Sequence, residues 1–281
     1  MVRSFVKASR FMFLLVMATI PLIANTPLIA DAGVFPRSDD QRIQKNIEEA
    51  DAMFAKEHGK SWYPMAGEMA EEIVRKYPPS EFVYVGVGRS PTTVTAYLKE
   101  AYPGSAVNVP FSRPSQNNVV TKEELQTRVR ALFDRFLKDE GVLNQGKKIL
   151  LIDYSYHGQS LSMVNQFLNW YLKDQGQEQL KGYALAMVGS SDVKNIERIQ
   201  RMPSGQNMKI FHLNHEQKWG FFSSQYDPWA EYPSLDITDR SFSIESIKKN
   251  PRYKLLRQEF GKIHAEKLVN PCKTALKGVF K

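Results

Sequence analysis

The sequence has almost no cysteine, since Cys272 is the single one among 281 residues. One cysteine cannot form a disulfide within the chain, so the fold relies on its hydrophobic core without a cross-link. No apolar run reaches the roughly 20 residues that a membrane-spanning helix needs. The chain also lacks Gly-x-Gly-x-x-Gly, Walker and Gly-x-Ser-x-Gly segments, which argues against the common dinucleotide, nucleoside-triphosphate and serine-hydrolase sites.

The first 32 residues have the pattern of a secretory signal peptide. Three basic residues come first, an apolar run over residues 11–24 follows, and a small-residue cleavage site ends at Ala32. Cleavage there lowers the formal net charge from +8 to +6, because the segment carries three basic residues and one acidic residue. An uncleaved anchor is the alternative. The sequence thus predicts an exported protein, periplasmic or secreted, with no stable membrane span.

The net charge that remains after cleavage is mildly positive, and it favours anionic partners only weakly. No motif of a nucleic-acid-binding module is present, so we expect no nucleic-acid partner. The lysine- and arginine-rich tail from Ile247 is partly helical in pattern, and we expect a packed helix with a solvated basic face.

Short apolar strands alternate with amphipathic helices along the middle of the chain. This alternation predicts an α/β domain with a mostly parallel sheet and helices on both faces. We expect a single domain over residues 33–281, with a core at about residues 65–215, two N-terminal helices and a C-terminal extension. The expected strands are residues 82–87, 106–109, 149–153, 183–188 and 208–213.

Two loops that follow strands contain the residues best suited to binding chemistry. The first loop, Gly86–Pro91, contains Gly86, Gly88, Arg89 and Ser90 before a helix. Glycines let backbone N–H groups approach an anion, and an arginine can hold a phosphate with two N–H groups. A tight turn with glycines for packing is an equal alternative. We expect Ser90 to cap the helix and Pro91 to begin it.

The second loop, Asp153–Ser160, begins where a run of four apolar residues ends on a carboxylate. Gly158, Gln159 and Ser160 then lead into a helix, whose N-terminus favours an anion. Asp153 can hold hydroxyls or simply cap this helix. In open α/β sheets, ligands bind at the carboxyl ends of strands where the strand order reverses. If the two strands are neighbours there, both loops face one pocket.

These residues resemble the signature of the type I phosphoribosyltransferase family. Ile149–Asp153 with Gly158-Gln159-Ser160 is similar to the family's phosphoribosyl-diphosphate motif, and Gly86–Ser90 is similar to its pyrophosphate loop. The resemblance implies a phosphoribosyltransferase-like core. It also implies that Asp153 holds ribose hydroxyls, and that His157 to Ser160 wrap the 5′-phosphate.

The resemblance implies further roles at the same positions. Gly88, Arg89 and Ser90 match the pyrophosphate loop, and His157 is a candidate proton donor or phosphate ligand. The second acidic residue of the family pattern is replaced by Tyr154, and the second loop is one residue shorter than usual. A single carboxylate supports Mg²⁺ only weakly, and we expect no dedicated metal site.

The sequence therefore predicts an exported protein that binds a phosphorylated ribose or a nucleotide-like ligand. Transferase or hydrolase activity is left open; if the protein is active, the resemblance implies a phosphoribosyltransferase-like reaction that uses Asp153, His157 and Arg89. One alternative is a non-catalytic module on the same fold that binds a protein or an envelope component. Another is a secreted effector that acts on nucleotides.

Overall fold

The structure, a computed structural model, describes residues 37–111, 121–155, 158–202, 208–214, 237–238, 243 and 254–263. All of these belong to one compact unit, Phe35–Lys281. The predicted signal peptide, residues 1–32, lies outside the described residues.

Within the described residues, five parallel strands form one sheet. The strands are β1 (Phe82–Val87), β2 (Ala106–Val109), β3 (Lys148–Tyr154), β4 (Gly182–Gly189) and β5 (Met208–Leu213). They lie in the order β2-β1-β3-β4-β5, so β5 is an edge strand, and it is only partly buried. The near-continuous burial of the other four is typical of a parallel sheet that is covered on both faces, as the sequence predicts.

Helices cover both faces of this sheet. A π-helical turn, Asp134–Lys138, extends α4, and two short 3-10 helices, Leu143–Gln145 and Glu178–Leu180, precede β3 and β4. The main helices are α1 (Arg37–His58), α2 (Trp62–Lys76), α3 (Thr92–Ala101), α4 (Lys122–Phe133), α5 (Gln159–Asp174), α6 (Val193–Gln200) and α7 (residues 254–263).

Alternate residues of each strand enter two separate hydrophobic cores. Tyr84, Leu150 and Leu185 point to the face covered by α1, α2, α3 and α7, which we call the α3 face. Val85 and Leu151 point to the opposite face, which is covered by α4, α5 and α6. The α/β fold class predicted from the sequence is therefore confirmed, and α7 is a packed helix as predicted for the C-terminal tail.

The N-terminal helix begins earlier than its capping residues predict. Asp39 and Asp40 resemble caps in the sequence, but α1 already starts at Arg37 and includes both. The helical spacing of Ile43, Ile47 and Phe54 predicts that they form its inner face, and all three are buried. The spacing of the apolar residues therefore predicts the helix correctly, whereas the capping residues predict a start that is too late.

The N-terminus of α4 gives a test of local capping. Thr121 Oγ accepts a hydrogen bond from the Glu124 backbone N–H at 3.1 Å, as its capping motif predicts. The Glu124 side chain pairs instead with Arg128.

We expect Thr121→Ala to lower the free energy of unfolding by about 1 kcal/mol in chemical denaturation, because the Glu124 backbone N–H loses its hydrogen-bond partner. Thr121→Ser should retain most of that stability, and an unchanged midpoint for Thr121→Ala would contradict the cap.

Candidate functional site

The two candidate loops leave neighbouring strands at the same edge of the sheet. β1 and β3 are paired in parallel, with Gly86 opposite Ile152. After β1 the chain crosses to β2 on one side, and after β3 it crosses to β4 on the other side. The reversal of strand order therefore falls between β1 and β3, which is the position where ligands bind in doubly wound folds.

Gly88 brings the first loop into close contact with the end of β2. Its backbone N–H donates to the Val109 carbonyl at 2.8 Å. Its φ of 73° lies in the left-handed region, and a Cβ there would lie 2.7 Å from the Phe111 carbonyl oxygen. Glycine is thus required at this position both by backbone conformation and by the neighbouring chain.

The turn into α3 is closed by Thr92, which contradicts the predicted cap at Ser90. Thr92 N–H and Thr92 Oγ both donate to the Arg89 carbonyl, at 3.0 Å and 2.6 Å. The residue before α3 is Pro91, and it makes no side-chain capping bond. Ser90 lies within the turn and is half-buried, while the Arg89 side chain is exposed. Arg89 is therefore placed to reach an anion that approaches the loop from solvent.

Gly86 lies inside β1 and packs against two polar side chains. A Cβ at Gly86 would lie 2.6 Å from Asn108 Nδ2 and 2.8 Å from Thr95 Cγ2. The sequence placed Gly86 among the binding residues because glycine permits backbone positions that other residues resist. In the structure its lack of a side chain makes room for Asn108, on the α3 face of the sheet.

Asp153 contributes a carboxyl at the carboxyl end of β3. Some of the residue's surface remains exposed, but protein atoms surround the carboxyl group. Burial raises the pKa of Asp153 well above its ordinary value, and a hydrogen bond from the backbone N–H of Tyr154 offsets part of this rise. A carboxyl with a strongly perturbed pKa at a strand end is typical of functional sites.

The second loop stays close to β4 before it enters α5. The Ser155 N–H donates to the Met187 carbonyl at 3.0 Å. Gly158 has a φ of 70°, and a Cβ there would lie 2.7 Å from Ile199 Cγ1 of α6. Gln159 and Ser160 form the first turn of α5 and are half-buried. Gly158 therefore packs α5 against α6, beside any contact it makes with a ligand.

One predicted catalytic residue cannot be placed in this site. His157 lies outside the described residues, with Tyr156 beside it. Tyr154, which stands where the family pattern has a second acidic residue, packs against the core of the α3 face. The structure thus brings the first loop, Asp153 and the start of α5 to one edge of the sheet, and adds no second carboxylate there from β3.

The sequence reasoning missed two buried polar residues that border the first loop. Asn108 is the penultimate residue of β2, and Thr93 lies in the first turn of α3. Both are buried, and in the part of the chain that the structure describes, no hydrogen-bond partner is found for Asn108 Oδ1, Asn108 Nδ2 or Thr93 Oγ1. The signal in the sequence was an asparagine inside a short apolar strand, a position where this residue is uncommon.

A pocket of about 320 Å³ lies elsewhere, between α2, α3 and α7. Within it, Glu71 accepts hydrogen bonds from the hydroxyls of Tyr97 and Tyr102, at 2.9 Å and 2.8 Å. Burial, with this carboxylate beside it, raises the pKa of Tyr102 to about 12. No residue of either candidate loop lines the pocket, so it is separate from the site at the sheet edge.

Comparisons with protein-family models, with curated proteins and with solved structures gave no match. The resemblance to phosphoribosyltransferases therefore stays a prediction that rests on the residues of the two loops. Within the described ranges, no helix is both long and apolar enough to cross a membrane. The same ranges contain no group of three or more histidine, cysteine, aspartate or glutamate side chains arranged to hold a metal ion.

Proposed function

We propose that this chain binds a phosphorylated ribose or a nucleotide-like ligand at the edge of the sheet formed by the first and second loops. One observation carries the proposal: the two loops singled out by their composition follow β1 and β3, the neighbouring strands on either side of the reversal in strand order. Ligands of doubly wound sheets bind in the crevice at this point.

The side chains at this edge suit two parts of the ligand, an anionic phosphate and the neutral hydroxyls of a ribose. Arg89 is exposed beside the first turn of α3, and α5 begins at Gln159 with no side-chain cap. An arginine and a helix N-terminus both favour a phosphate. Asp153, with its enclosed carboxyl, suits ribose hydroxyls, because a hydroxyl can donate to the carboxyl or accept from it.

The position of Tyr154 favours ligand binding over a metal-dependent transferase reaction. This side chain packs against the core of the α3 face and supplies no carboxylate beside Asp153. A hard cation such as Mg²⁺ prefers several oxygen ligands, and β3 offers only one carboxylate at its end. We therefore place ligand binding first, and treat transferase or hydrolase chemistry by Asp153, Arg89 and His157 as a further possibility for assay. Export from the cell remains part of the proposal.

Titration calorimetry with the full chain tests this function. Ribose 5-phosphate, adenosine monophosphate and phosphoribosyl diphosphate are titrated, with ribose as the ligand that lacks phosphate. We expect ribose 5-phosphate to bind, and Arg89→Ala to weaken it roughly tenfold or more, since hydrogen bonds to charged groups contribute about 1.5–3 kcal/mol. Asp153→Ala should weaken it as well.

Arg75 is the matched control, because it is an exposed arginine on α2 and belongs to neither loop. Arg75→Ala should bind ribose 5-phosphate with wild-type affinity. Absence of heat with all three phosphorylated ligands would contradict the proposed function. Equal losses in Arg75→Ala and Arg89→Ala would show that only the overall charge matters.

A further inference from the structure

The amide of Asn108 is buried at the edge of the proposed site with both polar atoms unpartnered. Asn108 is 9% exposed, and neither Oδ1 nor Nδ2 has a hydrogen-bond partner among the described residues. It pairs in register with Gly86, and its Nδ2 occupies space that a side chain at Gly86 would fill. A buried amide without partners lowers the stability of the folded chain, so its retention calls for an explanation.

The neighbouring hydroxyl does not satisfy this amide. Thr95 lies beside Asn108 over Gly86, but Thr95 Oγ1 bonds within α3, 3.0 Å from the Pro91 carbonyl and 3.2 Å from the Thr92 carbonyl. The Thr95 hydroxyl is therefore used within the helix. The amide of Asn108 is left with one acceptor and two donor hydrogens available.

Two other buried side chains at the same edge also have unpartnered oxygens. Thr93 Oγ1 lies in the first turn of α3, and Ser155 Oγ lies one residue beyond β3. Thr93 is fully buried and Ser155 is 3% exposed. Polar groups without partners thus occur on β2, on α3 and after β3, the three elements that border the first loop.

We infer that Asn108 is a ligand-binding residue of this site, and that its amide receives a hydroxyl group of the ligand's sugar. The inference rests on the proposed function and narrows the ligand class. An ionised phosphate oxygen only accepts hydrogen bonds, so it would leave Asn108 Oδ1 without a partner. A hydroxyl donates to Oδ1 and accepts from Nδ2. The site therefore fits a sugar phosphate better than inorganic phosphate or diphosphate.

Access to the amide requires a local adjustment. Both amide atoms are buried in the structure, and Thr95 of α3 packs beside the amide over Gly86. The first turn of α3 is held by the two bonds from Thr92 to the Arg89 carbonyl. A ligand whose phosphate binds at Arg89 approaches this turn directly, so binding and opening of the turn occur together.

Asn108→Leu tests the inference, because leucine has the same branching and lacks the polar atoms. We expect the ligand-free variant to have a Tm about 2 °C or more above the wild type, since an unpartnered amide is removed. Its affinity for ribose 5-phosphate should fall tenfold or more in calorimetry, whereas its affinity for inorganic phosphate should change less than threefold. Asn108→Ala should show the same pattern of affinities if leucine does not fit.

Asn165 is the matched control for this substitution. It is 3% exposed in α5, and its Oδ1 accepts a hydrogen bond from Asn169 Nδ2 at 3.3 Å. Asn165→Leu should lower Tm, because it removes a satisfied amide, and should leave ribose 5-phosphate affinity unchanged. Relative to the wild type, the Tm should therefore rise in Asn108→Leu and fall in Asn165→Leu.

The outcomes separate this inference from the proposed function. If the wild type binds ribose 5-phosphate and both Asn108 variants bind it equally well, the role of Asn108 is overturned while the proposed function stands. Equal losses for inorganic phosphate and ribose 5-phosphate would also overturn it, because the amide would then not select a hydroxyl. If the wild type binds none of ribose 5-phosphate, adenosine monophosphate and phosphoribosyl diphosphate, both proposals fail.

Discussion

Gly88→Ala should lower the free energy of unfolding by about 2–4 kcal/mol. The φ of 73° alone costs a residue with a side chain roughly 1–2 kcal/mol. The added Cβ would also lie 2.7 Å from the Phe111 carbonyl oxygen. That oxygen cannot retreat easily, because the Phe111 N–H is bonded to the Val109 carbonyl at 2.9 Å and the Phe111 side chain is buried.

Gly104→Ala is the control that separates the energetic cost of the backbone conformation from the cost of the steric clash. Gly104 has a φ of 79°, and a Cβ there would meet no atom within 4 Å. It should therefore lose only the conformational part, about 1–2 kcal/mol. Urea denaturation of both variants measures the difference. If Gly88→Ala loses no more stability than Gly104→Ala, the close approach of the first loop to β2 is contradicted.

Asp153→Asn should stabilise the protein at neutral pH while it weakens ligand binding. Burial raises the pKa of Asp153, so the ionised form is disfavoured in the folded state. Below the ordinary value of 3.8 both states hold the proton and Asp153 affects stability little. As pH rises above it, the unfolded chain ionises first, so the wild type loses stability until pH passes the raised pKa.

The amide side chain removes this pH-dependent loss. We expect a gain of roughly 1–3 kcal/mol at pH 7, the usual scale for a poorly compensated buried polar group, and almost none near pH 4. Urea denaturation from pH 4 to pH 8 measures it. Asp139→Asn is the control, because the side chain of Asp139 is 57% exposed. A loss of stability at pH 7 in Asp153→Asn would show that the carboxylate is well paired in the folded protein.

The fold could be predicted from the sequence because its strands and helices have strong apolar patterns. β5 begins and ends where its apolar run predicts, at Met208 and Leu213. The inner face of α1 also follows from the spacing of its apolar residues, since burial of one helix face depends on spacing alone. Helix starts were less predictable. At α3 the bonds of Thr92 to the Arg89 carbonyl replace the cap expected from Ser90.

The candidate site could be predicted only in part. The sequence left open whether β1 and β3 are neighbours, although parallel strands with crossover helices permit few arrangements; the structure pairs them. Asn108 was not predicted as a site residue, since a single polar residue in an apolar strand carries no spacing information. The glycines were assigned to binding by motif, yet Gly86 and Gly158 each make a close packing contact as well. A motif of this kind therefore indicates the fold more strongly than the reaction.

The most direct test of the central claim is a map of ligand contacts in solution. Backbone amide NMR spectra of the full chain are recorded during titration with ribose 5-phosphate, with ribose as the control. We predict that ribose 5-phosphate shifts the amide signals of the first loop and of Asp153–Ser160, with Asn108 among them. Shifts confined to the pocket between α2, α3 and α7, at Tyr63, Glu71 and Tyr97, or no shifts at all, would contradict a ligand site between β1 and β3.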